Sequence, residues 1–210
     1  LGHPAVAAMS GPNHAEEVTR SVPSACVAAC ADPARLERIQ AAFMGPTFRV
    51  YTTPDVVGLE IGGALKNVIA VAAGISDGVG YGDNTKAALI TRGLAEMTRL
   101  GVALGADPST LSGLSGMGDL VVTCFSRNSR NRRTGEALGQ GQSLADIQAT
   151  TPMVAEGVWT CGSAKRLSEK LKIDLPITEQ VYAILHHGKD PKEAVAELLS
   201  RDPRPENDLP

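Results

Sequence analysis

The chain has 210 residues and a net charge of −3, with 43% hydrophobic and 20% charged residues, a composition typical of a globular protein. No basic excess is available to hold a long polyanion, so nucleic acid is not expected as a partner. No apolar run reaches the roughly 20 residues that cross a bilayer, and no basic region precedes an apolar stretch at the N-terminus. Neither membrane insertion nor a signal peptide is therefore expected.

The four cysteines are predicted to be buried free thiols. Cys26 and Cys30 lie four residues apart in an apolar run, whereas Cys124 and Cys161 are distant from them, and no histidine stands at ligand spacing. No metal site is predicted. Unpaired cysteines are typical of a reducing compartment, so a cytoplasmic location is expected.

The start of the chain is unusual. Leu1 is not preceded by an initiator methionine, and residues 6–9 already have the pattern of a strand within a fold. We interpret the chain as a fragment that lacks an N-terminal part.

The first fifty residues predict alternating strands and helices. Three apolar segments are predicted to be strands: Val6–Ser10, Ser24–Ala29 and Phe48–Thr52. Pro33–Met44 has helical spacing of apolar residues. Asn13, with Glu16 three residues later, predicts a helix that begins with a capping box. This part is typical of the edge of an α/β sheet.

From Pro54 onward the pattern is helical. Two long helices are predicted over Asp55–Ser76 and Asn84–Leu104. Later helices are predicted to begin at Arg130, Ser143, Val154, Pro176 and Pro191. We therefore predict a first unit over residues 1–53, a helical unit over residues 54–201, and a disordered tail over residues 202–210 that contains three prolines.

Lys66 is the first candidate for chemistry. On a helix it shares a face with small residues: Gly62, Gly63, Ala70, Ala73 and Gly74. Glycine inside a helix costs about 1 kcal/mol relative to alanine, so something is expected to approach this backbone closely. A lysine there would lie at the floor of a cleft as a proton donor. Alternatively, the glycines admit a neighbouring helix and Lys66 extends to solvent.

Gly113–Asp119 is the second candidate. Its three glycines indicate a tight loop whose amides face a ligand, and Asp119 would pair with Lys66 and orient it. The alternative is an ordinary turn or helix cap.

Ser126–Arg133 is the third candidate, with four arginines and two serines in eight residues. If Ser129 caps the following helix, free amides and forked guanidinium donors would suit a phosphate. The alternative is a solvated basic face. Glu156, near the start of a later helix, compensates charge in the first turn or faces a ribose or amide group.

Together these segments closely resemble the bacterial NAD(P)-dependent glycerol-3-phosphate dehydrogenases. The matching stretches run in order over nearly the whole chain: 10–15, 62–67, 74–78, 82–84, 89–97, 116–120, 129–133, 154–157 and 176–179.

The resemblance implies a mainly α protein. An all-helical substrate domain, like the C-terminal domain of 6-phosphogluconate dehydrogenase, would follow the last strands and helices of a Rossmann α/β domain. It also implies NAD or NADP as cofactor, a small phosphorylated substrate, a homodimer in the cytoplasm, and a role in glycerophospholipid synthesis. The family's Gly-x-Gly-x-x-Gly fingerprint is not in this sequence, so the chain alone is expected to bind cofactor poorly and to be inactive.

The resemblance also implies residue roles. Lys66 is similar to the family's general acid/base. Substrate contacts are implied for Gly11, Asn13, Lys66, Asp119, Ser129, Arg130 and Asn131. Cofactor contacts are implied for Ala15, Arg130, Val154 and Glu156. The chain departs from the family at position 13, usually a small hydroxyl residue, and at His14, usually an aromatic residue.

Two other functions remain open from the sequence. One is a related nicotinamide dehydrogenase for a different hydroxy acid, which would not need the arginine run. The other is a non-catalytic helical interaction module that docks through the arginines.

Overall fold

A computed structural model of the protein describes residues 6–150, 155–203, 205 and 206. Three strands form one sheet in the order β1 (Ala8–Ser10), β2 (Ser24–Ala29) and β3 (Phe48–Thr53). β1 pairs antiparallel with β2, and β2 pairs parallel with β3. All three predicted strands are present. Helix α2 (Pro33–Phe43) covers the sheet, and Asp32 caps it by accepting a hydrogen bond from the amide of Ala34.

The capping box predicted at Asn13 and Glu16 is wrong. Helix α1 has only four residues (Ala15–Val18), and its first flanking residue is His14, whose side chain makes no capping hydrogen bond. The backbone of His14 is extended, with φ −53° and ψ 128°. Asn13 therefore lies before the helix, where its side chain cannot cap the first turn.

The described residues after β3 are mainly helical, as the predicted mainly α class requires. The helices are α3 (Val56–Val79), α4 (Asp83–Ala103), α5 (Pro108–Ser112), α6 (Asp119–Phe125), α7 (Arg130–Gly139), α8 (Leu144–Thr150), α9 (Glu156–Leu171), α10 (Pro176–His187) and α11 (Pro191–Leu199). α3 extends three residues beyond the predicted Ser76 to Val79 and is terminated by Gly80, whose φ of 90° suits glycine. Val154, a predicted helix start, lies outside the described residues, as do residues 204 and 207–210 of the predicted tail.

The glycine-rich loop predicted at Gly113–Asp119 is also wrong. Residues Leu114–Gly118 form a π-helical turn, in which the amide of Gly118 donates to the carbonyl of Gly113, 3.0 Å away. A Cβ at Gly116 would overlap the carbonyl of Leu111. The glycine thus lets the chain fold back onto the end of α5, which places Asp119 at the start of α6.

Helix α3 is the central helix of the hydrophobic core and packs against α4, α6, α7 and α9. Contrary to the sequence-based expectation, its 24 residues are long and apolar enough to cross a membrane. More than half of the qualifying window is buried inside the protein, which is the behaviour of a core helix. Its Lys66 and Asp77 both form ion pairs with other helices.

Helices α3 and α7 touch backbone to backbone. A Cβ at Gly74 or Gly78 of α3 would overlap carbonyl oxygens of α7, and a Cβ at Gly135 or Gly139 would overlap carbonyl oxygens of α3. Four glycines, two on each helix, therefore set how close these helices lie.

Glu96 joins α4 to the N-terminus of α10. Its buried carboxylate accepts hydrogen bonds from the amide of Ile177 at 2.5 Å and from the amide and hydroxyl of Thr178 at 3.2 and 3.1 Å. Burial raises the pKa of this carboxyl from 4.5 to about 7, against the opposing effect of the hydrogen bonds.

Replacement of Gly74 by alanine tests the interhelical contact. The added methyl group meets the backbone of α7, which cannot rotate away as a side chain can. We expect Gly74→Ala to lower the free energy of unfolding by about 3 kcal/mol, despite alanine's better helix propensity. Chemical denaturation measures this change in the free energy of unfolding. Gly82→Ala is the matched control, because nothing lies within 4 Å of a Cβ there. Equal stability of the two variants would contradict the contact.

The buried Glu96 predicts a pH dependence of stability. Because its pKa is higher in the folded state than in the unfolded chain, the proton bound by the folded state stabilises it below about pH 4.5. This contribution, on the order of 3 kcal/mol, is lost as the pH rises to about 7. Denaturation of the parent and of Glu96→Gln between pH 5 and 8 should show a steeper fall in the parent. Parallel curves would show that Glu96 does not titrate in this range.

Candidate active site

Lys66 and Asp119 form an ion pair at the centre of the candidate site. Lys66 projects from α3, and its Nζ lies 2.6 Å from Oδ2 of Asp119, the first residue of α6. The side chains are 19% and 4% exposed, respectively. The predicted pairing is present, and the alternative in which Lys66 extends freely to solvent is not what the structure shows.

The carboxylate of Asp119 is held by several donors besides Lys66. Oδ2 accepts hydrogen bonds from the hydroxyl of Ser10 at 2.9 Å and from the amide of Gly11 at 3.1 Å. The hydroxyl of Thr123 lies 3.3 Å from Oδ1. A buried carboxylate is tolerated when its oxygens are satisfied in this way. The end of β1 is thereby joined to the helical part of the chain.

Each glycine near Lys66 admits a protein neighbour. A Cβ at Gly62 would lie 2.7 Å from the carbonyl oxygen of Ser115, and one at Gly63 would lie 3.1 Å from the hydroxyl of Ser10. Gly74 admits α7. The expected close approach to α3 is therefore real, but it is made by the protein's own chain. Lys66 reaches the site because the glycines let β1 and the π-helical turn pack beside it.

Ser129 caps α7, as predicted. It is buried, and its hydroxyl accepts a hydrogen bond from the amide of Arg132 at 3.2 Å. The four arginines near this cap differ in their surroundings. Arg127, Arg130 and Arg133 are exposed, whereas Arg132 points into the protein and pairs with Asp77 and Glu136. The arginine run is thus only partly a solvated face.

Asn131 connects α7 to two other helices. Its Nδ2 donates to Oδ1 of Asn67 at 2.9 Å, and its Oδ1 accepts from the amide of Gly157 at 2.8 Å. Glu156 Oε2 lies 3.4 Å from the same Nδ2, and Glu156 also forms an ion pair with Arg130. Because Asn67 follows Lys66 on α3, this network ties the start of α7 to the stretch of α3 that carries Lys66.

The structure thus brings the predicted residues together in two neighbouring groups. Lys66, Asp119 and Gly11 form the first group, and Ser129, Arg130, Asn131 and Glu156 form the second. Asn13 is half-buried, and Ala15 is exposed at the start of α1. Val154, a predicted cofactor contact, lies outside the described residues.

Thr123 was missed by the sequence reasoning, and the bonds made by Ser10 and Asn67 were not anticipated. A signal for Thr123 was available, since it stands four residues after Asp119 and so lies on the same face of a helix. The contacts of Ser10 and Asn67 join residues 109 and 64 positions apart and carry no local signal.

The cysteines are not nucleophile candidates. All four are buried and free, as predicted. Burial raises the pKa of the Cys124 and Cys161 thiols to about 12, so both stay protonated at neutral pH. Within the described residues, no group of three or more His, Cys, Asp and Glu side chains is placed to hold a metal ion.

Two family models match the chain. The model described as the NAD-dependent glycerol-3-phosphate dehydrogenase C-terminus matches residues 55–196, and the one for the N-terminus matches residues 1–36. The chain is 58% identical over 201 residues to the glycerol-3-phosphate dehydrogenase [NAD(P)+] of Thermoanaerobacter sp. strain X514, covering 96% of this chain and 61% of that protein. It is 60% identical to the enzyme of the same name from Geobacter sulfurreducens, covering 92% and 58%.

Solved structures show the same similarity. The crystal structure of glycerol-3-phosphate dehydrogenase from Coxiella burnetii has a TM-score of 0.90 and 44% identity, covering 93% of this chain and 60% of that chain. Glycerol-3-phosphate dehydrogenase from Saccharomyces cerevisiae has a TM-score of 0.82 and 28% identity, covering 92% and 59%.

Fold and comparisons define the class: a mainly helical protein whose helical domain follows part of a Rossmann sheet. The chain belongs to the NAD-dependent glycerol-3-phosphate dehydrogenase family. It spans about 60% of the length of the curated relatives that it matches.

Proposed function

We propose that this chain is the substrate-binding part of an NAD(P)-dependent glycerol-3-phosphate dehydrogenase. The reaction is reversible hydride transfer between NAD(P)H and dihydroxyacetone phosphate, which gives sn-glycerol 3-phosphate. The observation that carries the proposal is the Lys66–Asp119 pair beside the capped start of α7, in a chain of this family.

Lys66 is the proposed general acid. When hydride reaches the carbonyl carbon of the ketone, its oxygen gains negative charge. The ammonium of Lys66 stabilises that charge and donates the proton that completes the alcohol. In the reverse direction the neutral amine takes this proton back. Asp119 is a proposed substrate-site residue that holds the ammonium in place. Gly11 and Asn13, at the turn after β1, are proposed further substrate contacts.

The start of α7 is the proposed phosphate site. Unpaired amides at a helix N-terminus attract an anion, and the exposed Arg130 adds a charged, forked donor. The Arg130–Glu156 ion pair is on the surface, where such pairs contribute about 0–1 kcal/mol, so Arg130 can exchange partners at little cost. Ser129 and Asn131 complete the proposed contacts. Binding the remote phosphate there orients the reacting carbon at Lys66.

We propose that residues of this chain contact one side of a nicotinamide cofactor. Arg130 and Glu156 lie together at the exposed edge of the site, and Ala15 is exposed at the start of α1. These residues and Val154 are the proposed contacts for NAD or NADP. The sequence has no Gly-x-Gly-x-x-Gly turn for the pyrophosphate, so residues outside this chain would bind that group. When bound, the nicotinamide supplies the hydride.

We also propose a domain division, an assembly and a cellular location for the protein. We propose that residues 1–53 belong to the nicotinamide-binding domain, that residues 54–201 are the substrate domain, and that residues 202–210 are a tail. The proposed assembly is a homodimer in the cytoplasm, with a product that supplies glycerophospholipid synthesis. Cofactor binding and turnover then need the N-terminal segment that the relatives carry. We call this chain together with that segment the full-length protein.

Lys66→Ala in the full-length protein tests the proposed catalytic role. We expect kcat for dihydroxyacetone phosphate to fall by about 1,000-fold or more, because the proton donor and the charge opposite the oxyanion are both lost. Lys170→Ala is the matched control, since Lys170 is exposed on α9. Circular dichroism checks that both variants are folded. Activity of Lys66→Ala within a few-fold of the control would refute the role.

Arg130→Ala tests the proposed phosphate site. Loss of a charge-assisted contact should raise the apparent KM for dihydroxyacetone phosphate by about 10-fold or more and leave KM for unphosphorylated dihydroxyacetone unchanged. Arg133→Ala, in the same run and also exposed, is the control. An unchanged KM in Arg130→Ala would rule out a phosphate contact.

A further inference from the structure

A second ion cluster lies further along α3, away from the Lys66–Asp119 pair. Asp77 Oδ2 accepts a hydrogen bond from Nζ of Lys86 at 2.8 Å and another from Nε of Arg132 at 2.8 Å. We call these three residues the Asp77 cluster. Their side chains are 17%, 10% and 14% exposed, so the cluster is largely buried. Such an arrangement is expensive to break, because a partner left alone keeps an uncompensated charge.

The Asp77 cluster contacts both ends of one surface segment. Arg132 lies in the first turn of α7, immediately after the proposed phosphate contacts Ser129–Asn131. Lys86 Nζ lies 4.8 Å from the centroid of the Phe125 ring, and Phe125 is the last residue of α6. The segment between them, residues 126–131, runs from the end of α6 at Phe125 into the first turn of α7 at Arg132. The Asp77 carboxylate thus bonds directly to the residue after this segment and is connected through Lys86 to the residue before it.

The same helix carries the proposed general acid. Asp77 is eleven residues after Lys66, which is about three helical turns, so both side chains lie on nearly the same face of α3, about 16 Å apart along the axis. Because α3 is a continuous helix in the core, the Asp77 cluster sets the position of segment 126–131 relative to Lys66.

We propose that Asp77 and Lys86 are positioning residues for recognition of the substrate's phosphate. They act through Phe125 and Arg132 on segment 126–131 and do not touch the substrate. This inference rests on the proposed function. It predicts that their loss weakens discrimination for the phosphorylated substrate while the chemistry at Lys66 stays intact.

The test uses two substrates and the full-length protein. The kcat and KM of the parent, Asp77→Asn and Lys86→Met are measured with dihydroxyacetone phosphate and with unphosphorylated dihydroxyacetone. For both variants we expect kcat/KM for the phosphorylated ketone to fall at least tenfold, mainly through KM. For the unphosphorylated ketone we expect it to stay within about threefold. A residue that only stabilises the fold would lower both values equally.

Two further variants sharpen the test. Lys86→Arg keeps the cation beside Asp77 and Phe125, so it should recover most of the preference for the phosphorylated ketone. Glu136→Gln is the matched control, because it removes a 3.2 Å ion pair to Arg132 on the outer side of the cluster and leaves Asp77 untouched. Its kinetics should stay within twofold of the parent. Lys86→Met retains the Asp77–Arg132 contact, so it answers the question even if Asp77→Asn does not fold.

The outcomes separate the two proposals. An active parent whose variants lose activity equally on both substrates, or lose none, would overturn the positioning role and leave the proposed function standing. A parent that reduces neither substrate would overturn the proposed function and, with it, the inference.

Discussion

The backbone contact between α3 and α7 is the constraint on which the rest of the structure depends. Gly74 and Gly78 face Gly135 and Gly139, and a Cβ at any of these positions would overlap the opposite backbone. A glycine inside a helix destabilises it by about 1 kcal/mol relative to alanine. The close packing must therefore stabilise the fold by more than this amount at each of the four positions. The close packing of α3 and α7 positions the N-terminus of α7 against the helix that carries Lys66.

The hydrogen bonds of Asp119 and Asn131 hold the side chains of the candidate site in place on these packed helices. Asp119 pairs with Lys66 and also accepts from Ser10 and Gly11, so the sheet is tied to the helical part at the position where the ammonium lies. Asn131 bonds to Asn67 on one side and to the amide of Gly157 on the other. Lys66, Asp119 and Asn67 thus each have a protein partner, which gives the rigidity that a positioned proton donor needs.

The sequence predicts the elements better than their contacts. Strand positions, the long helices and the Ser129 cap follow from local patterns of apolar and capping residues, and the structure has them. The glycines of 113–119 predict a ligand-facing loop because glycine clusters usually mark loops, but packing against Leu111 makes them helical. The glycines beside Lys66 predict that something approaches the backbone of α3 closely, but the sequence does not indicate which part of the chain does so. Ser10, Asn67 and Asp77 act through partners distant in the sequence, and no local pattern contains that information.

In the proposed function, Lys66 and the start of α7 bind opposite ends of one small phosphorylated substrate. A crystal structure of the full-length protein with sn-glycerol 3-phosphate tests this most directly. We expect the phosphate at the amides of Arg130 and Asn131 and at the side chains of Ser129 and Arg130, with the C2 hydroxyl within hydrogen-bond distance of Lys66 Nζ. A substrate bound elsewhere, or one whose phosphate lies at Lys66 with no contact to α7, would contradict it.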